Sequence, residues 1–192
     1  MRIFVALDIE EAIRARIERF IEGVRGFAPD IRWVRPESLH ITLKFIGEKQ
    51  VDAIEEIKHV LLQVKVTPFE IAFRSYGFFP GAKSPRVFWI GIEAGAALAE
   101  LARGIDEALS VRGIPKERHE FSPHLTLARA GSGSPRRTKA GGPNLRFQRL
   151  QEKLVAMPAL NFGMMTASEF FLYESKLSTS GSRYTKIARF PF

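Results

Sequence analysis

Apolar residues recur along the chain in two periods, and these periods divide it into strands and helices. Arg2 to Asp8 is apolar on both faces, Ile3, Val5 and Leu7 against Phe4 and Ala6, which predicts a buried central strand. From about Glu10 to Arg25 the apolar residues Ile13, Ile17, Phe20, Ile21 and Val24 follow helical spacing. Arg32 to Arg35 is a short strand candidate ended by Pro36, and Ser38 to Ile46 a longer one closed by Gly47. The helical period returns over Val51 to Val64, through Ile54, Ile57, Leu61 and Val64. It returns again over Ala96 to Val111, through Leu98, Leu101, Ile105 and Leu109, until Gly113-Ile114-Pro115 stops it. Between these helices lie two predicted strands, Phe69 to Phe78 and Arg86 to Ile92, joined by a Pro80-Gly81 turn and a Lys83-Ser84-Pro85 stretch. Phe121 to Ala130 is a further β-favouring run. Asn144 is placed to cap a fourth helix reaching about Ala156. Two strands, Thr166 to Leu177 and Arg183 to Phe190, close the chain around a Ser/Thr/Gly turn.

Strands interleaved with four helices and no visible linker predict an α+β fold over residues 1–192. No glycine-rich phosphate loop stands at a strand–helix junction, so nucleotide cradling of that kind is not expected. Gly131 to Pro143 is the one low-complexity stretch and carries Arg136, Arg137 and Lys139. It reads as a basic loop that either tracks an RNA backbone or is a solvated connection. Arg86 has the same two readings.

Composition narrows the chemistry. The chain has 192 residues, 45% of them hydrophobic, with sixteen Phe, enough for a sizeable core. Cysteine is absent, which removes disulfides, thiolate metal sites and a cysteine nucleophile, and fits a reducing cytoplasm. MRIFVALDIEE reads as a first strand rather than a signal peptide, and no apolar stretch approaches the roughly 20 residues that span a bilayer. A cytoplasmic protein without a membrane partner is therefore expected, working as a monomer. The formal net charge is +8, which favours polyanionic or phosphate-bearing partners.

One short pattern occurs twice. His40-Ile41-Thr42-Leu43 recurs as His124-Leu125-Thr126-Leu127, each copy in a predicted strand, and the chain has four histidines in all. Alternation along a strand puts His and Thr of each copy on one face. Two such strands brought together place two imidazoles and two hydroxyls in one cleft, which suggests two related halves about a pseudo-twofold axis. An imidazole titrates near 6.5, so one ring of a pair can be neutral while the other is protonated near neutrality. Displacement at phosphorus uses both forms: one ring takes a proton from water while the other protonates the leaving oxygen. A strained cyclic phosphodiester suits such chemistry. Zinc is the rival reading for paired histidines, but no H-E-x-x-H occurs and no carboxylate completes a ligand set within either strand, so neither metal nor cofactor is expected. His59 lies off its helix's apolar stripe and His119 sits in a charged loop, so both read as surface residues.

The segments Trp33 to Gly47 and Phe121 to Arg129 resemble the two signature segments of the two-histidine phosphoesterase superfamily. Within it they are most similar to the RNA 2′,3′-cyclic phosphodiesterases, also called 2′-5′ RNA ligases. Met1 to Asp8, the Gly77-Phe78-Phe79-Pro80 turn and the end from Leu172 to Thr185 share the likeness. The resemblance implies a bilobal α+β fold, two lobes of antiparallel sheet with helices outside and a cleft between them. It implies metal-independent opening of a 2′,3′-cyclic phosphate to a 2′-phosphomonoester, with reversible 2′-5′ ligation a further possibility of the family. His40 would protonate the 3′-oxygen and His124 activate water, with Thr42 and Thr126 beside the phosphate. Arg129 and Phe45 would complete the substrate site. Simple alternation disagrees on the last two: each lies five residues after its histidine, so Phe45 is expected in the core and the strand of Arg129 is expected to end or twist. RNA ends or small cyclic nucleotides are the implied partners. A phosphodiesterase for another cyclic phosphate and a non-catalytic RNA-binding module remain open.

Overall fold

The computed structural model describes residues 1–131, 145–178 and 181–192. The sequence-predicted basic loop, the Asn144 cap and the centre of the last turn fall outside these residues. Nine strands and four helices are described. In chain order they are β1 (Arg2–Asp8), α1 (Glu11–Val24), β2 (Ile31–Trp33), β3 (His40–Glu48), α2 (Val51–Leu61), β4 (Phe69–Phe79), β5 (Val87–Glu93), α3 (Ala97–Ser110), β6 (His124–Ala130), α4 (Gln148–Val155), β7 (Asn161–Ala167), β8 (Glu169–Ser178) and β9 (Gly181–Pro191).

The strands form two antiparallel sheets, β3-β1-β8-β9 and β2-β6-β5-β4-β7. Each histidine strand pairs with a strand apolar on both faces: β3 with β1, β6 with β5. Strand β1 sends Ile3, Val5 and Leu7 into the main core and Phe4 and Ala6 into a second cluster with Phe171 and Tyr173. The helices cover the sheets with the stripes the periodicity predicts. Ile13, Ile17, Ile21 and Val24 are buried on α1, Ile54, Ile57 and Leu61 on α2, and Leu98, Leu101, Ile105 and Leu109 on α3. Helix α1 packs on β7 of one sheet and α3 on β3 of the other. Strands β3 and β6 face each other where the sheets meet. The backbone N–H of Val34, ahead of β3, donates to the carbonyl of Leu127 within β6 at 2.8 Å.

Two boundaries differ from the predicted ones for local reasons. The chain makes a strand at Asn161–Ala167 that periodicity does not show, and the run predicted from Thr166 divides at Ser168 into β7 and β8. Gly163 interrupts the alternation at φ +101°, and the Asn161 side chain accepts the Gly163 N–H at 3.0 Å. That φ calls for glycine, and an added Cβ would also meet the Ile13 side chain of α1 at 3.3 Å. Gly47 does not end β3. It takes φ +89° opposite Ile3, and pairing continues to Glu48.

Candidate active site

Each motif histidine opens its strand, and each ring is held in the same way. His40 Nδ1 lies 2.7 Å from the carbonyl oxygen of Ser38, and His124 Nδ1 lies 2.8 Å from that of Ser122. A carbonyl only accepts, so Nδ1 carries the proton and Nε2 is left for chemistry. The contact extends the sequence repeat two residues upstream. Ser38-Leu39-His40-Ile41-Thr42-Leu43 matches Ser122-Pro123-His124-Leu125-Thr126-Leu127, a signal present in the sequence.

Both strands then bulge at the same place. Thr42 pairs with Ala6 and Lys44 with Val5, so Leu43 has no partner of its own. Thr126 pairs with Trp89 and Ala128 with Phe88, so Leu127 is the extra residue. A bulge inserts one residue and reverses the facing of everything after it. This corrects the expectation that Phe45 is core: Phe45 is 59% exposed, lies beside Phe4 and faces the cleft. Arg129 is brought round in the same way, within a strand that continues to Ala130. His40, Thr42, Phe45, His124, Thr126 and Arg129 all line one cleft of about 420 Å³. The other two histidines are exposed on α2 (His59) and in the loop before β6 (His119), the latter at the rim of a neighbouring cavity of about 540 Å³. That cavity shares Thr42, Phe45 and His124 with the cleft and is walled by Phe79 and Phe121.

The reversal also sends Lys44 inward. Lys44 is 3% exposed, pairs with Asp106 on α3 at 2.6 Å and with Glu117 at 3.3 Å, and donates to the Pro115 carbonyl at 2.7 Å. A lysine this buried is stable only with such partners.

Aromatic rings surround both imidazoles. Phe4 and Tyr184 stand 4.9 and 5.0 Å from His40, and Tyr173 stands 6.1 Å away. Phe79 and Trp89 lie 4.9 and 6.4 Å from His124. Burial against these rings pushes His40 down to about 4, against the opposing pull of the Ser38 carbonyl. Burial lowers His124 as well, opposed by the Ser122 carbonyl, and the Arg129 guanidinium pushes both rings the same way. The resting cleft at neutral pH therefore holds two neutral imidazoles, where the sequence suggests one of each form. Among the described residues no group of three or more His, Asp or Glu comes together to hold a metal ion, and no helix is long and apolar enough to cross a membrane.

Two lobes of antiparallel sheet, each contributing the same Ser-x-His-x-Thr-Leu strand to one cleft, define a bilobal α+β phosphoesterase. A family model described as LigT like Phosphoesterase matches the chain twice, over residues 7–89 and 90–184. The chain belongs to the LigT-like phosphoesterase family. It is 31% identical over 190 residues to an RNA 2′,3′-cyclic phosphodiesterase of Archaeoglobus fulgidus, covering 99% of both chains. It is 34% identical over 187 residues to one of Methanocaldococcus jannaschii, covering 97% of this chain and 98% of the relative. Among solved structures, TT0787 of Thermus thermophilus superposes with a TM-score of 0.74 at 28% identity, over 100% of this chain and 97% of the other. E. coli LigT complexed with 3′-AMP shares the fold with a TM-score of 0.76 at 24% identity, over 99% and 97%.

Proposed function

We propose that this chain opens the 2′,3′-cyclic phosphate at an RNA end to a 2′-phosphomonoester, with His40 and His124 as the acid–base pair. One observation carries the reading: two imidazoles, each anchored through Nδ1 to a backbone carbonyl, line one cleft with two threonines and an arginine. Family membership and relatives named RNA 2′,3′-cyclic phosphodiesterase support the choice of substrate.

Water attacks phosphorus opposite the 3′-oxygen. His124 Nε2 takes the proton from that water, and His40 Nε2 gives its proton to the departing 3′-oxygen as the P–O3′ bond breaks. Thr42, Thr126 and Arg129 hold the non-bridging oxygens where charge develops. The cleft by itself disfavours imidazolium, so the negative charge of a bound phosphodiester lets His40 hold its proton. Proton exchange with solvent resets both rings. The neighbouring cavity, walled by Phe45, Phe79 and Phe121, offers an apolar slot for the terminal base. Arg2 and Arg129 on the cleft wall suit the phosphates of a longer chain.

The test is turnover of an oligonucleotide ending in a 2′,3′-cyclic phosphate under exhaustive chelation, with the product phosphate located by ³¹P NMR. A 2′-phosphomonoester is expected. His40→Ala and His124→Ala should each lower kcat by about 10²–10⁴-fold. Activity that disappears with chelator and returns with zinc or manganese would falsify the two-histidine mechanism.

A further inference from the structure

The carboxylate of His40's own strand, Glu48, stands at the far end of β3, yet another lies beside His40 on the next strand. Asp8 is the cross-strand partner of His40, just as Ala6 is of Thr42. Asp8 is half-buried and accepts three hydrogen bonds. The Ile9 N–H donates to Oδ1 at 2.9 Å, Arg14 Nη2 donates to Oδ1 at 2.6 Å, and Lys186 Nζ donates to Oδ2. The Arg14 side chain is only 13% exposed. Its Nη2 also reaches the Ile9 carbonyl at 3.2 Å, and its Nη1 donates to the carbonyl of Pro36. Pro36–Ser38 is a 3₁₀ turn closed by the Leu39 N–H on the Pro36 carbonyl at 3.2 Å. The last residue of that turn is Ser38, whose carbonyl holds the His40 ring. One guanidinium therefore spans both the carboxylate beside His40 and the turn that fixes its tautomer.

We propose that Arg14 and Asp8 form a positioning unit for His40: Arg14 locks the turn and the carboxylate into one frame, and the Asp8 charge offsets the cost of an imidazolium at this buried place. The proposal deepens the reading of His40 as the acid of a cyclic phosphodiesterase and rests on it. Among the described residues, the titratable and charged groups that face His40 are Asp8 on β1, Arg129 and His124 on β6, Tyr173 on β8 and Tyr184 on β9. Arg14 on α1 and Lys186 on β9 stand behind Asp8. Of the charges, Asp8 favours the imidazolium, whereas Arg129 and His124 oppose it. Burial alone would raise the Asp8 carboxyl, but Lys186, Ile9 N–H and Arg14 override it and keep the group ionised. Among the described residues the charge that shifts His124 is Arg129, with no carboxylate beside it, so the unit belongs to the first motif. Fork-shaped donation to two acceptors is a task for arginine and not for lysine.

Charge and positioning separate by variant. Asp8→Asn removes the negative charge, so His40 should titrate at lower pH. Lys186→Met leaves the Pro36 turn untouched and removes a cation, so His40 should titrate about half a pH unit or more higher. Arg14→Met should raise the midpoint and also free the turn, lowering kcat by about 10–100-fold, as losing an orienting partner typically does. Arg14→Lys should restore the midpoint without restoring kcat. The experiment is a ¹H–¹³C NMR titration of the His40 ring, with ¹⁵N shifts reporting the Nδ1–H tautomer, alongside kcat on a cyclic mononucleotide for each variant. Opposite shifts in Asp8→Asn and Lys186→Met, with a mixed tautomer in Arg14→Met, are expected. Shifts in the same direction, no shift in either, or an Arg14→Met variant with wild-type kcat and tautomer would overturn the proposal. The titration does not depend on turnover. Opposite shifts in a protein that opens no cyclic phosphate would sink the proposed activity and leave the positioning unit standing.

Discussion

Lowering the pH from 7 to 4.5 at a series of urea concentrations tests how strongly the fold commits His40 to the neutral form. In the unfolded chain this imidazole titrates at its ordinary 6.5; in the folded protein burial holds it down to about 4. Between those values the unfolded chain binds a proton that the folded protein does not, so stability falls as pH falls. At 1.36 kcal/mol per pH unit the full effect is about 3 kcal/mol, and about 2.5 kcal/mol of it is spent by pH 4.5. That is a large part of the 5–15 kcal/mol that typically separates folded from unfolded states. His40→Gln keeps a polar side chain and removes the titration. The stability gap between wild type and His40→Gln should therefore change by about 2.5 kcal/mol in favour of the variant between pH 7 and 4.5. His124 is lowered too and adds acid sensitivity of the same sign, but to both proteins alike. Asp8 is held below its ordinary 3.8, so its contribution is lost only at pH values under this window. Parallel loss of stability in the two proteins would refute the reasoning, because it would mean that His40 meets protons as freely as an unfolded histidine does.

Kinetics should carry the same signature. With both rings lowered by burial, the two limbs of kcat/KM against pH, which report the free enzyme, should fall below the ordinary imidazole range, and the bell for kcat should sit at higher pH because the bound phosphodiester favours imidazolium. Limbs of kcat/KM at or above 6.5 would contradict this. Lys44→Met should cost about 1–3 kcal/mol in urea unfolding, since it leaves the largely buried Asp106 with the Glu117 N–H but without its cation. Adding Asp106→Leu should recover most of the loss, and a single-variant cost under about 1 kcal/mol would count against the buried pairing. Gly91→Ala should destabilise and loosen the β4–β5 pairing, because its Cβ would stand 2.4 Å from Ser75 Oγ and 2.5 Å from the Arg74 carbonyl; unchanged thermal stability would show that this corner yields.

Periodicity alone brought the helices to within about a turn of their true ends, because each buries one stripe and the stripe is written in residue spacing. The doubled His-x-Thr-Leu motif was legible for a similar reason: a strand alternates, so a two-residue spacing already puts His and Thr on one side. Strand β7 was not legible, since Gly163, at φ +101°, breaks its alternation. Phe45 was misread for the same kind of reason, since alternation assumes an unbroken ladder and the bulge at Leu43 breaks it.

The sequence by itself determined an α+β chain with two copies of one histidine strand, and with its family likeness it pointed to six of the residues that line the cleft. Tertiary structure decided which way those residues after the bulge would face, by setting Leu43 and Leu127 against neighbouring strands with one partner too few. It decided that Lys44 would be a buried ion and that both imidazoles would rest neutral, because burial depends on what folds over a residue. It also brought Asp8 and Arg14 to His40 across 32 and 26 positions of sequence. Local spacing specifies which side of its own element a residue occupies; its charge state and its neighbours come from chain segments that no local pattern encodes.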